Sequence, residues 1–253
     1  HQADCMVISS KGELFEKIDI RSKSFFLNRK NKFNLSGMRS CATITSGYDI
    51  VHVHMRHTWA YVKLSCLIYG KSKGLVFHDH YGDIAIDRKA TFRLKGVLKP
   101  KAYIGVSGEL TKWAITELKI LPKSVFLLRN TIVPCFNESD KYKGDWIMVS
   151  NLRLTKNILF GIKLANLMHR RLVIFGNHDG SEYAEGVVKA VKGSEYAELI
   201  QNETDIQRYL GNFALGMHTS FSETGPLVLL EYMAHGLPFI TSDCGEVVNQ
   251  IRQ

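Results

Sequence analysis

Two glutamates in one short stretch are the residues of this sequence best suited to chemistry. Glu223 precedes Thr224-Gly225-Pro226, and Glu231 lies within the mostly apolar residues 227–234. A carboxylate among apolar residues is costly to bury unless a partner satisfies it. Carboxylates accept hydrogen bonds from hydroxyl groups. Two carboxylates beside a site that binds a phosphate would therefore suit a ligand that carries both sugars and phosphates.

The same stretch predicts a loop, a short buried helix, a turn and a strand. Pro226 suits the first helical position, because its φ is already helical and it has no amide hydrogen to leave unpaired. Gly236 suits a left-handed residue that ends the helix, and Pro238 prevents its continuation. Amides at the helix start, near Gly225, predict a phosphate site. For Glu231 alone, pairing with Arg or Lys, or exposure to solvent, is an equally good interpretation.

Residues 220–245 resemble the donor-site motif of the retaining family 4 (group 1) glycosyltransferases of GT-B fold. The motif is carried by Glu223-x7-Glu231, Ala234-x-Gly236-x-Pro238 and Asp243-x-Gly245. The resemblance implies that Glu223 contacts the donor sugar and that Glu231 contacts the ribose. It also implies that the diphosphate meets the backbone at Thr224, Gly225, Pro226 and Leu227.

Other segments resemble this family more weakly. Residues 149–157 keep the Lys of its second-domain motif as Lys156, but Asn151 stands where the family has Arg, and Arg153 would have to replace that Arg. Gly176, at a strand end, would also line the donor site. In the first half, similar strings occur at Asp49–His54, at Val76–Asp79 and at Asn130, and they imply that His78 touches the donor sugar.

The resemblance implies an α/β protein of GT-B fold, with two Rossmann-like parallel-sheet domains facing across a cleft. Repeated strand and helix units agree with parallel sheets. The polar stretch 134–144 places the boundary between an acceptor-side domain, 1–139, and a nucleotide-sugar domain, 140–253. Relative to the family, a first strand and a Gly-rich loop before His1 and helices after Gln253 are missing.

The implied activity is transfer of a sugar from a nucleotide-diphosphate-sugar to a saccharide or lipid-linked acceptor, with retention. We expect a role in cell-surface polysaccharide or lipopolysaccharide synthesis. Glu223, His78 and Lys156 would be the catalytic residues, with Lys156 neutralising the leaving diphosphate. No metal is implied, and no cofactor besides the co-substrate. A non-catalytic relative that binds nucleotide sugars is one alternative.

Histidines provide another alternative. His52-x-His54 ends one predicted strand, and His78-x-His80 ends the next. Such pairs resemble the start of metal-dependent hydrolases, and neutral imidazoles bind zinc. A hydrolase of that kind needs further ligands late in the chain, where the remaining histidines lack metal-site spacing. We therefore expect ordinary core or loop histidines.

Composition and charge limit the remaining classes. Five scattered cysteines without a C-x-x-C pair argue against a disulfide framework or structural zinc and favour a reducing, cytoplasmic location. Residues 1–140 carry 22 Lys and Arg against 12 Asp and Glu, whereas residues 141–253 carry 11 against 12. A basic half suits nucleic acid, an anionic membrane face or a phosphorylated acceptor. With a lipid-linked acceptor, we expect peripheral contact with the cytoplasmic membrane face and no nucleic acid.

Hydrophobic patterns predict the remaining elements. A strand at 4–9 and a buried strand at 48–54 open the chain, and helices are predicted at 59–69, 110–118, 158–168, 182–192 and 205–210. Further strands are predicted at 74–80, 102–107, 124–128, 145–150, 171–175, 199–200 and 239–242, and residues 213–218 lead into the motif.

Overall fold

The computed structural model describes residues 3–12, 15–16, 18–31, 34–70, 74–82, 84, 87–88, 92–135 and 142–252. The chain divides into two compact units. The first comprises His1–Tyr81 with Arg88–Leu128, and the second comprises Gly82–Asp87 with Arg129–Gln253. The predicted boundary between residues 139 and 140 lies outside the described residues, so it stays a prediction.

In the first unit, strands alternate with helices from the second strand onward. The strands are β1 (Cys5–Val7), β2 (Ser24–Phe26), β3 (Ile50–His54), β4 (Gly74–Asp79), β5 (Ala102–Gly105) and β6 (Val125–Leu127). The helices are α1 (Leu35–Thr45), α2 (Arg56–Ile68), α3 (Phe92–Lys95) and α4 (Gly108–Thr116), with a 3-10 helix at Pro122–Ser124. All strand pairs are parallel, in a two-stranded sheet β1-β2 and a four-stranded sheet β3-β4-β5-β6.

Strand β3 was predicted to be buried, and this is wrong. Among the described strands β3 pairs only with β4, so it is an edge strand, and Val53 alone of its residues is buried. Ile50 is 68% exposed. A groove of about 810 Å³ lies beside this edge and is lined along its other side by β1. The sequence shows the apolar and β-branched residues of a strand, but it does not show how many neighbours that strand has.

Helix α1 was not predicted. It begins after Asn34, whose side-chain oxygen accepts a hydrogen bond from the amide of Gly37 at 3.0 Å. Met38, Cys41, Ala42 and Thr45 recur at helical spacing and are buried. Gly37 and several short polar residues weaken the helical signal of this segment, so its packing against α2 outweighs its low intrinsic propensity.

The second unit is a five-stranded parallel sheet in the order β11-β10-β7-β8-β9. Its strands are β7 (Trp146–Val149), β8 (Leu172–Phe175), β9 (Ala197–Ile200), β10 (Leu215–His218) and β11 (Phe239–Thr241). Its helices are α5 (Ile158–Met168), α6 (Glu182–Lys192), α7 (Leu227–Ala234) and α8 (Glu246–Ile251), with 3-10 helices at Leu154–Lys156 and Ile206–Asn212.

Helices cover both faces of this sheet. Along β8, Val173 and Phe175 belong to one apolar cluster, whereas Leu172 and Ile174 belong to another. Successive side chains of a strand point to opposite faces, so the two clusters lie on opposite sides of the sheet. The predicted α/β class with parallel sheets is confirmed.

Helix α7 ends as predicted, but it begins one residue later than predicted and is less buried than predicted. Pro226 is its N-cap, and the amides of Gly236 and Leu237 donate to Met233 (3.1 Å) and Tyr232 (2.9 Å) in a Schellman arrangement, with Gly236 at φ +65°. Only Leu229 and Tyr232 are buried. Val228 and Leu230 are half-buried and pack against the same apolar cluster, whereas Leu227 and Met233 are exposed.

Replacing Gly236 by Ala should lower the free energy of unfolding by about 1 kcal/mol, because a Cβ strains left-handed backbone. No atom lies within 4 Å of the added Cβ, so the cost is conformational and not steric. Gly186→Ala, in the interior of α6 and also in open space, is the matched control. It should raise stability by about 0.5–1 kcal/mol. Urea unfolding of both variants measures the difference, and equal effects would contradict the assignment.

Candidate functional site

The loop that follows β10 is anchored to the segment that follows β7. These strands are neighbours in a parallel sheet, so their carboxyl ends lie at the same edge. The Thr219 hydroxyl donates to the carbonyls of Lys156 and Asn157, both at 3.0 Å. The amide of Phe221 donates to the carbonyl of Thr155 at 2.8 Å. These bonds hold residues 219–223 over the 3-10 helix that carries Lys156.

Glu223 is the centre of a polar cluster at this edge. Its Oε1 accepts hydrogen bonds from the Lys156 ammonium and, at 2.9 Å, from the Ser220 hydroxyl. The His218 ring lies 3.4 Å from the same oxygen. The Glu223 side chain is only 13% exposed, and that of Lys156 is 28% exposed. The structure therefore brings together two of the three predicted catalytic residues.

The cluster keeps the Glu223 carboxyl ionised. Burial by itself raises its pKa, but the hydrogen bond from His218, the charge and hydrogen bond of Lys156 and the hydrogen bond from Ser220 outweigh it. The result is a pKa of about 2. A carboxylate that is both mostly buried and strongly compensated is a fixed negative charge over the whole physiological range.

His218 and Ser220 were not predicted as site residues. His218 is 6% exposed and holds Thr241 on β11 through Nδ1 at 3.0 Å, while its Nε2 faces Glu223. A cavity of about 300 Å³ is lined by both residues, together with Asn157, Phe160, Thr219, Phe221, Ile240, Thr241 and Ser242. The signal was present, because His218 ends a strand directly before the motif, but the sequence does not show its side-chain partner.

The segment from Thr224 to Leu227 leads directly into α7. The carbonyl of Thr224 accepts the amide of Glu246 at 2.8 Å, and that of Gly225 accepts the Asn130 side chain at 2.7 Å. These bonds fix the backbone before the helix. The amino-terminal end of α7 therefore follows directly from the loop that carries Glu223. No side chain of the described residues caps the start of α7. The predicted diphosphate contacts here stay a prediction.

Glu231 has partners that differ from those of Glu223. Its Oε1 accepts a hydrogen bond from Gln207 Nε2 at 3.0 Å, and its carbonyl meets Nδ1 of His235 at 2.8 Å. The side chain is half-buried. Among the described residues, its side-chain partner is therefore an amide and not an Arg or Lys. Its predicted contact with a ribose stays a prediction.

Asn151, Arg153 and Gly176 lie where β7 and β8 end. Asn151 accepts the amide of Asn177 at 3.1 Å, and Arg153, 62% exposed, has its Nε 3.9 Å from Asp179. A Cβ on Gly176 would lie 1.9 Å from the Ser150 carbonyl oxygen, so this position excludes any side chain. Their predicted roles toward the donor also stay predictions.

In the first unit, His78 lies in a cluster with His52, His54 and His80. His78 Nδ1 is 3.0 Å from His52 Nε2, and His54 Nδ1 is 2.9 Å from His80 Nε2. Burial lowers the pKa of each ring. Neighbouring imidazoles lower the pKa further, to about 4 for His54 and about 3 for His78, and for His80 the Asp79 charge partly opposes the shift. All four rings are therefore neutral at pH 7. The predicted contact of His78 with the donor sugar is not tested by this geometry.

Asp79, beside His78, has a structural role in this arrangement. It is fully buried, and its carboxylate accepts hydrogen bonds from Arg56 Nη2 at 2.9 Å, from the Tyr103 hydroxyl at 3.0 Å and from the Tyr81 amide at 3.1 Å. Because these donors pair the buried Asp79 carboxylate fully, Asp79 fixes the end of β4 and the residues that follow.

The metal-dependent hydrolase is not favoured. Among the described residues, the group of three or more that could hold a metal is His52, His54 and His78. The later histidines have other neighbours, which are Tyr196 for His169, Gly180 for His178, Thr241 and Glu223 for His218, and Cys135 and Glu231 for His235. The late ligands that such an enzyme requires are therefore not supplied by these rings.

Several basic residues of the first unit pair with acids at the surface. Lys95 Nζ lies 3.2 Å from Glu117, and Arg88 Nη2 lies 3.7 Å from Glu109. Residues 89–91 of the basic run fall outside the described part. None of the described helices has the length and apolar character needed to cross a membrane.

Residues 144–253 match the family described as "Glycosyl transferases group 1". No curated protein sequence matches the chain. Among solved structures, it is similar to Alr3699/HepE of Anabaena in complex with UDP-glucose, with a TM-score of 0.79, 14% identity, and 96% of this chain and 74% of that chain covered.

It is also similar to a glycosyltransferase of Rickettsia africae, with a TM-score of 0.69, 16% identity, and 98% of this chain and 73% of that chain covered. A third similar structure is a TarM mutant of S. aureus in complex with Fondaparinux, alpha-GlcNAc-glycerol and UDP. Its TM-score is 0.60 and its identity 14%, and the match covers 82% of this chain and 45% of that chain. At these identities the likeness shows the fold, which is that of GT-B glycosyltransferases. The predicted resemblance to group 1 glycosyltransferases is thereby confirmed for the second unit.

Replacing Glu223 by Gln should reduce the loss of stability in acid. The pKa of this carboxyl is about 2, against an ordinary value of 4.5. Its stabilisation is therefore complete above about pH 5 and is lost as the pH falls toward about 2. That pKa difference corresponds to about 3 kcal/mol at most.

Urea unfolding between about pH 3 and about pH 7 measures this dependence. The wild type should lose stability on acidification more steeply than Glu223→Gln. Glu195→Gln, at an exposed turn, is the control and should keep the wild-type slope. An unchanged slope in the Glu223 variant would mean that the cluster does not hold the carboxylate.

Proposed function

We propose that this chain is a glycosyltransferase that transfers a sugar from a nucleotide-diphosphate-sugar to a saccharide or lipid-linked acceptor, with retention of configuration, as family 4 enzymes do. The observation that carries the proposal is the Glu223 cluster at the carboxyl edge of the second sheet, within the segment that matches the group 1 family. The UDP-glucose bound to the similar Anabaena protein supports a donor of this class.

The diphosphate is the part of the donor that the second unit is best equipped to bind. Lys156 supplies an ammonium with three donor hydrogens, so pairing with Glu223 leaves it able to bind a phosphate oxygen as well. The amide end of α7 adds the positive end of a helix dipole. In the transfer step both would stabilise negative charge as it develops on the leaving diphosphate.

The two glutamates take different parts of the donor in this proposal. Glu223, a fixed carboxylate, accepts hydrogen bonds from hydroxyls of the transferred sugar. Glu231, whose oxygen already accepts one bond from Gln207, accepts hydroxyls of the ribose. Asn151, Arg153 and Gly176 are assigned to the nucleotide side, because they lie at the ends of β7 and β8. No metal is required, since Lys156 and the helix provide the positive charge.

The proposed setting is synthesis of cell-surface polysaccharide or lipopolysaccharide at the cytoplasmic membrane face. It is supported by the basic excess of residues 1–140, which carry 22 Lys and Arg against 12 Asp and Glu. Positive charge of this kind attracts an anionic leaflet that presents a lipid-linked acceptor.

A panel of uridine and guanosine diphosphate sugars, tested by thermal shift and calorimetry, examines donor binding. A correct donor at about 100 times its Kd should raise Tm by roughly 5 °C, because it binds only the folded chain. Free UDP and GDP separate recognition of the nucleotide from recognition of the sugar. A panel in which no donor binds would overturn the proposal.

Substitutions of the two glutamates should change different steady-state constants. Glu231→Ala should raise the KM for the donor about tenfold with little change in kcat, because ribose contacts contribute equally in the ground and transition states. Glu223→Ala should lower kcat by about 100-fold, because it removes charge beside the reacting sugar. Glu195→Gln is the control. Wild-type kinetics in both glutamate variants would remove the assigned roles.

A further inference from the structure

Four histidine rings of the first unit form one stacked cluster at the ends of β3 and β4. His54 is in register with His78 across the parallel pair, and His52 and His80 lie two residues from them on the same face. The ring centroids of His52 and His54 are 4.5 Å apart, and those of His78 and His80 are 4.2 Å apart. Imidazoles that merely fill a core have no need of three further imidazoles beside them.

One nitrogen in this cluster has no partner. His78 is 5% exposed, and its Nε2 is buried without a hydrogen bond among the described residues. Leaving a buried polar atom unsatisfied costs about 1–3 kcal/mol, and native structures rarely keep such atoms without a reason. The Nδ1 of the same ring faces His52 at 3.0 Å. The Nε2 atom of His78 is therefore a possible ligand atom that the described residues leave without a partner.

The ligand atoms are close enough for one ion. One nitrogen from each of His52, His54 and His78 lies within 4.8 Å of the others. Ligand nitrogens at about 2.0–2.1 Å from a tetrahedral zinc lie about 3.4 Å apart, so ring rotations that draw the atoms together by at most about 1.4 Å suffice. His52 and His54 are exposed and line one end of the 810 Å³ groove, which gives an ion a path from solvent.

We propose that His52, His54 and His78 bind a divalent transition-metal ion of the zinc class, with His80 as a fourth ligand. Sets of imidazole ligands suit zinc, nickel and copper, and exclude magnesium and calcium, which prefer oxygen. This site goes beyond the proposed transfer reaction, which uses no metal, and among its ligands only His78 also has a predicted contact with the donor sugar. It also differs from the hydrolase alternative, since the ion holds β3 to β4 and needs no late ligand.

The proposed site also explains why β3, an edge strand, carries two exposed histidines. Among the described elements, this edge strand with two exposed imidazoles is held mainly by its hydrogen bonds to β4 and by α2. An ion shared by His54 on β3 and His78 on β4 would cross-link the two strands and stabilise the edge. Metal binding should therefore appear in the stability of the chain as well as in a direct titration.

The test uses the full chain after treatment with a chelator and buffer exchange. Calorimetric titration with Zn²⁺ should give one ion per chain, and Tm should rise with zinc concentration. Co²⁺ in place of zinc should give visible absorption bands of a tetrahedral site, a readout that does not depend on enzyme activity.

His54→Gln and His78→Gln should each weaken zinc binding by about 10–100-fold. His54 is exposed, so its variant is expected to fold even if the His78 variant does not. His57→Gln is the matched control, because His57 is exposed on α2 three residues from His54 and lies outside the cluster. Zinc binding that is absent from the wild type, that survives in His54→Gln or that is lost in His57→Gln would overturn the site.

Discussion

The ionised Glu223 carboxylate is the constraint on which the carboxyl edge of the second sheet depends. A side chain that is 13% exposed cannot remain charged without compensation, and here three donors from three positions provide it. Lys156 comes from the segment after β7, His218 from the end of β10, and Ser220 from the loop. Because all three donors contact the same oxygen of Glu223, the loop between β10 and α7 is fixed relative to β7 and β10.

That same loop sets where α7 begins. Gly245, at φ +89°, brings α8 close to it, with a distance of 3.1 Å between a Cβ built on this glycine and the Cβ of Glu223. The Asn130 side chain closes the other side through the Gly225 carbonyl. The helix start, its carboxylate and its lysine are thus one packed unit. A phosphate bound there would meet groups that are already in position, which is the condition for electrostatic preorganisation.

Sequence patterns were sufficient for the second unit and less so for the first. Helices α5 and α6 were predicted with their observed bounds, and β8 was recognisable because all four of its residues are apolar. Burial of β3 and α7 was overestimated, because apolar content does not reveal how many neighbours an element has. The motif identified Glu223 and Lys156, but their direct pairing across 67 residues, and the part of His218 in it, depend on tertiary contacts.

Buried polar groups in this chain divide according to how completely they are satisfied. Asp79 is surrounded by Arg56, Tyr103 and the Tyr81 amide, so its charge is fully used inside the fold. Glu223 is compensated through one of its two oxygens, at a sheet edge where ligands of parallel α/β proteins bind. His78 keeps a buried nitrogen with no partner at all among the described residues. Because each unmade hydrogen bond destabilises the fold, the incomplete groups are the ones whose missing partner should be sought outside the chain.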